Sequence, residues 1–172
     1  MRKVKIKTLS ILFVVCSSFL AKTSFSQTEY TLSYLDIKSI TFPTKYDSIE
    51  TKEVKILYVR QSNIVYQMMV SNKADYDSSQ YSKDYDAFLK GYFSSDGIKP
   101  FSHEVKDSAI GGVNGKFIHG YRFDKPTQFF TFITFLHGRA YIIQITFFIS
   151  LTEQLKESIN TFLNRVSFST EG

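Results

Sequence analysis

Three histidines, one cysteine and a glycine cluster are the residues in this chain whose types could do chemistry. His103, His119 and His137 are far apart in sequence. No two stand at i, i+2 or i+4, so no local metal-binding pair exists. Cys16 has no second cysteine to pair with. It lies in an apolar N-terminal stretch, so the mature protein is expected to hold no disulfide, thiolate nucleophile or Cys-ligated zinc. His103 and Glu104 fall in a strand-like run, where sequence neighbours point to opposite faces, so they make no dyad. His137-Gly138 has the form of a two-residue hairpin turn. Serines are abundant, yet no Gly-x-Ser-x-Gly elbow is present. Gly111-Gly112-Val113-Asn114-Gly115 leads into a strand pattern, without the helix N-terminus that would hold a phosphate. Asp84 and Asp86 stand two apart on a helical pattern and do not face each other. These readings point to a protein with no catalytic residues, no metal site and no cofactor.

The N-terminus is the strongest single signal. Met1–Ser26 has a basic head (Arg2, Lys3, Lys5, Lys7), an apolar middle (Leu9–Leu20) and small residues at its end (Ser24 and Ser26). That is the pattern of an export signal. As a helix, Leu9–Leu20 would extend roughly 18 Å against a hydrocarbon core of about 30 Å, too short to span. Cleavage is expected between Ser26 and Gln27, leaving one domain over 27–172. Lipid anchoring at Cys16 fits less well, because Val15 stands where a lipoprotein signal has a small residue. Export places the protein in the periplasm or outside the cell.

Removing the signal also removes the charge. The chain has 21 Lys and Arg against 16 Asp and Glu. Five of the cations, Arg2, Lys3, Lys5, Lys7 and Lys22, precede the cut and no acid does, so the mature charge balances. Nucleic-acid binding is not expected without a surplus of clustered cations.

With 17 Phe, 11 Tyr and no Trp, the pattern after residue 100 favours strands. Tyr30–Phe42 reads as one strand closed by Pro43, and 44–51 as a loop. Val54–Arg60 and Ile64–Ser71 read as a hairpin across Gln61-Ser62-Asn63. Helical spacing of Tyr81, Tyr85, Phe88, Leu89 and Tyr92 predicts a helix over 75–93, capped by Ser78 or Ser79 and left at Gly91 or Gly97. Four strands follow, over 100–110, 116–124, 127–136 and 139–149. Leu151, Leu155, Ile159, Phe162, Leu163 and Val166 form the apolar stripe of a second helix over 150–166, with Ser150 and Glu153 at capping-box spacing. Phe168 begins a short tail.

The result is an α+β architecture: an antiparallel sheet of six to seven strands flanked by helices. The order resembles the PsbP-like α/β/α sandwich family, which includes small exported proteins of the DcrB type. Phe42-Pro43, the glycine turn before Lys116, Arg139-Ala140-Tyr141 and the closing Phe162–Phe168 carry the resemblance. It implies the fold and a binding or assembly role, and assigns no catalytic residue.

Turn lengths sort the side chains into faces. A two-residue turn at His137-Gly138 pairs Leu136 with Arg139, Ile133 with Ile142 and Thr131 with Gln144. A four-residue loop at 124–127 would pair Phe123 with Gln128 and Gly120 with Thr131. One face then carries Phe117, His119, Tyr121, Phe130, Phe132, Tyr141, Ile143, Ile145 and Phe147, the expected core, with His119 a buried histidine. The other carries a dip at Gly120 flanked by Thr131 and Gln144, with Arg122 and Phe129 to one side. That dip is either closely approached by a helix or loop, or is a shallow groove for a small anionic or amphipathic ligand with Arg122 as its charged contact. The expectation is a non-enzymatic binding or assembly factor whose partner is an envelope protein, or else a carrier of a small lipid-like ligand on the Gly120 face. A hydrolase would need His103 or His137 to meet a serine and an acid across loops.

Overall fold

The structure is a computed structural model that describes residues 28–73, 76–77, 79, 81–94, 101–122 and 127–169. The expected export signal, the Ser26 and Gln27 cleavage pair, Ser78 and Gly97 lie outside the described residues. Among the described residues ten strands form two sheets. The larger contains β3 (Asp47–Glu50), β4 (Val54–Gln61), β5 (Ile64–Ser71), β6 (Phe101–Ile110), β7 (Val113–Arg122), β8 (Gln128–Leu136) and β9 (Arg139–Phe147). Its spatial order is β3-β4-β5-β9-β8-β7-β6, and every neighbouring pair is antiparallel. The smaller contains β1 (Tyr30–Tyr34), β2 (Ile37–Phe42) and β10 (Ser167–Phe168), in the order β1-β2-β10. Helix α1 spans Tyr81–Ser94 and α2 spans Glu153–Asn164. The architecture is α+β, with helices on the two faces of an antiparallel sheet. Among the described residues no helix is long and apolar enough to cross a membrane.

The odd-numbered residues of β9 explain the core. Tyr141, Ile143, Ile145 and Phe147 are all fully buried, as period-two alternation requires of a strand with one face turned inward. They join Leu57, Val59, Tyr66 and Met68 from β4 and β5, and Leu155, Ile159, Phe162 and Leu163 from α2. The small sheet adds Ile37, Ile40, Phe42 and Phe168 to the same cluster. Each such side chain, fully buried, contributes about 1.5–3 kcal/mol. On the opposite face Ile118, Phe129, Ile133, Phe135 and Ala140 pack against Tyr81, Tyr85 and Leu89 of α1.

Several expectations are corrected. Tyr30–Phe42 is two strands, because Leu35-Asp36 turns the chain with Leu35 at φ 51° and Tyr34 pairs with Ile37. No glycine, proline or asparagine announces that turn. It is held from a distance: the Asp36 carbonyl accepts the Ser169 amide at 2.8 Å. The expected loop over 44–51 contains the edge strand β3, exposed at every position and therefore without alternation. The tail at Phe168 pairs with β2. Helix α1 starts at Tyr81 and continues past Gly91. The cap of α2 is Thr152, whose hydroxyl accepts the Leu155 amide at 3.2 Å; Ser150 stands two residues before the cap.

The His137-Gly138 turn has both residues at positive φ, 47° and 76°, the geometry of a tight hairpin turn. It sets Leu136↔Arg139, Ile133↔Ile142 and Thr131↔Gln144 as expected. The neighbouring register differs by two. Tyr121 pairs with Gln128 and Gly120 with Phe129, because the connection is longer than four residues. A shift of two leaves every side chain on its own face.

Candidate functional site

The Gly120 face is built by β7, β8 and β9. Gly120 lies opposite Phe129, and Thr131 lies between Ile118 and Gln144. An added Cβ at Gly120 would meet the Phe129 ring at 2.1 Å. The hollow expected there is therefore filled: an aromatic side chain from the next strand lies across the glycine and covers its backbone. The three atoms nearest to that Cβ all belong to Phe129, so among the described residues it is the neighbouring strand that makes the close approach. Phe129 is 7% exposed and Thr131 0% exposed. Gln144 Nε2 donates to Thr146 Oγ1 at 3.0 Å along the same strand. Arg122 ends β7 opposite Phe101, and its side chain lies outside the described residues. The structure thus brings Gly120, Phe129, Thr131 and Gln144 onto one face, where the apolar cluster under α1 begins.

A more open feature lies on the other face. A twelve-residue helix is about 10 Å across, whereas seven strands spaced about 4.8 Å apart are roughly three times as wide. Helix α2 covers the centre of the sheet and leaves part of β6–β8 beside it. The result is a groove of about 500 Å³ between α2 and these strands. Its floor is aromatic. Phe117 and Phe130 stack with centroids 5.7 Å apart at 25°, and the His119 ring stacks on Phe130 at 4.4 Å and 29°. His119 Nε2 stands 3.3 Å from Gln128 Oε1, so the tautomer with its proton on Nε2 donates there. His119 is half-buried and faces the groove; it has the hydrogen bond expected of a buried core histidine but not the full burial.

Two lysines stand at the groove. Lys106 Nζ of β6 lies 5.7 Å from the Phe117 ring centroid, a cation over a π face. Lys156 of α2 projects from the opposite wall and bonds Glu153 at 2.6 Å. Ile159 and Leu163 complete the apolar wall, and Asn160 adds an amide. Flat aromatic area between cations suits a ligand with an apolar body and an anionic group. Sequence reasoning grouped Phe117, His119 and Phe130 on one face, which the structure sets beside α2, but assigned them to a closed core. No local spacing of residue types marked the opening, which depends on how much of the sheet α2 covers.

A second hollow, of about 810 Å³, lies where Tyr81 and Tyr85 of α1 meet Asn114 and Lys116. Its lysine is paired with an acid, as Lys156 is with Glu153. Lys116 Nζ bonds Asp107 Oδ1 at 2.7 Å, and that hydrogen bond holds the ammonium above its usual pKa. Burial pushes the Tyr85 hydroxyl up as well.

His137 meets an acid, as the hydrolase reading required. Its Nδ1 lies 2.9 Å from Asp36 Oδ1, and Tyr141 donates its hydroxyl to Asp36 Oδ2 at 2.5 Å. The two rings thus bond different oxygens of one carboxylate. Tyr141 is fully buried; burial, followed by its hydrogen bond to Asp36 and the Asp36 charge, raises its pKa well above the ordinary phenol value. That arrangement ties two turns together and presents no activated nucleophile. Among the described residues no group of three or more His, Cys, Asp or Glu side chains could hold a metal ion. No protein-family model matches the chain, and no curated protein matches it in sequence.

Proposed function

We propose that this is an exported, non-enzymatic binding protein that holds a small amphipathic anion in the groove between α2 and β6–β8. The observation that carries this reading is the stacked Phe117–Phe130–His119 floor with Lys106 and Lys156 on either side. An acyl chain or flat ring would lie on the aromatic floor, and its carboxylate or sulfonate would replace part of the lysines' hydration. The signal-like Met1–Ser26 supports export to the envelope. The element order that resembles the PsbP-like sandwich supports binding or assembly over turnover. The Gly120 face supports ligand binding less well, since Phe129 occupies its hollow.

The test is calorimetric titration of the purified protein with decanoate and with neutral decanol. Decanoate should bind more tightly than decanol. Lys156→Glu should weaken decanoate about tenfold, corresponding to about 1.4 kcal/mol, and leave decanol unchanged. Equal affinity for the two probes, or a Lys156→Glu variant that binds decanoate as well as the parent, would overturn the assignment.

A further inference from the structure

We propose that two copies of this chain associate through their β6 strands, antiparallel about a two-fold axis at Val105, continuing the large sheet across the pair. β6 and β3 are the edges of that sheet. β3 has four residues and β6 has ten. Residues 103–107 of β6 are exposed on alternating sides of the sheet, so neither α1 nor α2 covers the middle of this strand. Val105, at its centre, is 36% exposed. An edge of this length presents a row of outward backbone N–H and C=O groups that can template another strand.

The partner is argued from charge and register. Directly opposite residues in an antiparallel pair must both point their backbone groups toward the other strand or both away. Along one strand these directions alternate, so a two-fold self-pairing must be centred on a residue. Centring on Glu104 opposes two carboxylates, and centring on Lys106 opposes two ammonium groups. Centring on Asp107 again opposes two carboxylates. Centring on Val105 instead sets Glu104 opposite Lys106 of the second copy, and Lys106 opposite Glu104 of the second copy. On the other face it sets His103 opposite Asp107 of the second copy, and places two valines together at the axis. Opposite charges directly across strands stabilise a pair and like charges destabilise it. The charge order of His103-Glu104-Val105-Lys106-Asp107 therefore favours self-association and selects one register. Nine residues of each strand overlap, giving on the order of eight backbone hydrogen bonds.

Sedimentation equilibrium of the purified protein tests this, over roughly 1 to 100 µM. A reversible dimer is expected. Glu104→Lys alone, or Lys106→Glu alone, creates two like-charge pairs and should weaken the dimer about tenfold or more. The double reversal Glu104→Lys/Lys106→Glu restores opposite charges and should restore the dimer. Both side chains are exposed, and unchanged thermal melting of each variant verifies that the fold is retained. A monomer throughout the range, a dimer indifferent to the single reversals, or a double reversal that fails to recover would each overturn the proposal. The experiment is independent of ligand: Glu104 does not line the groove, so Glu104→Lys should weaken the dimer without abolishing decanoate binding.

Discussion

Gly120 is a residue whose missing side chain is used by its neighbour. The Phe129 ring occupies the space in which a Cβ would sit, 2.1 Å from the nearest ring atom. That ring cannot simply swing away, because it packs with Ile118, Ile133 and Phe135. Gly120→Ala should therefore destabilise the protein by about 1–3 kcal/mol through overpacking, measured by urea unfolding. Shortening the ring in the same chain, Phe129→Leu, should make the alanine less costly than it is alone. The coupling between the two substitutions is the diagnostic quantity; purely additive costs would show that the ring does not seat on the glycine.

Helix α2 shows how an element can be legible while its boundary is not. Its stripe of Leu155, Ile159, Phe162 and Leu163 follows helical spacing and is buried as that spacing demands. Its start depends on where the chain leaves β9. The Phe148 amide donates to the Asn63 carbonyl at 2.9 Å, which holds the chain to the β4–β5 turn just before the helix. Thr152 is then the residue with extended backbone, φ −106° and ψ 163°, and becomes the cap. Thr152→Ala should cost about 1 kcal/mol in chemical denaturation, while Ser150→Ala should change little. The reverse ranking would restore the cap to Ser150. The same helix is narrower than the sheet and leaves the β6–β8 floor beside it, so its width, more than any one side chain, makes the groove.

At the scale of the molecule, the two sheets are joined by Asp36. Its carboxylate takes the Tyr141 hydroxyl from the large sheet and lies against His137 in the β8–β9 turn, while its backbone carbonyl takes Ser169 after β10. Tyr141→Phe removes a hydrogen bond to a charged acceptor and should cost about 1.5–3 kcal/mol at neutral pH. The direction with pH follows from the protonated form. Tyr141, Tyr66 and Tyr85 all titrate above the ordinary phenol value in the folded protein, each chiefly because of burial. The unfolded chain releases these protons from about pH 10. The stabilisation is therefore fully present below that pH and is lost as pH rises toward the folded values. Melting temperature against pH should fall steeply above about pH 10, and the Tyr141→Phe curve should fall less steeply. Parallel curves for the two proteins would remove Tyr141 from the alkaline transition.

The sequence by itself determined what repeats locally: the strands and helices with clear periodicity, the two faces of β7–β9, and the register across His137-Gly138. Period two protects face assignments even where the β7–β8 register moved by two residues. Tertiary structure decided the turn at Leu35-Asp36, the pairing of β3 and β10, the filling of Gly120 by Phe129 and the opening of the groove beside α2. Those features depend on contacts between residues as far apart as Asp36 and His137, or on how much sheet one short helix can cover. Neither quantity leaves a mark in the local spacing of residue types.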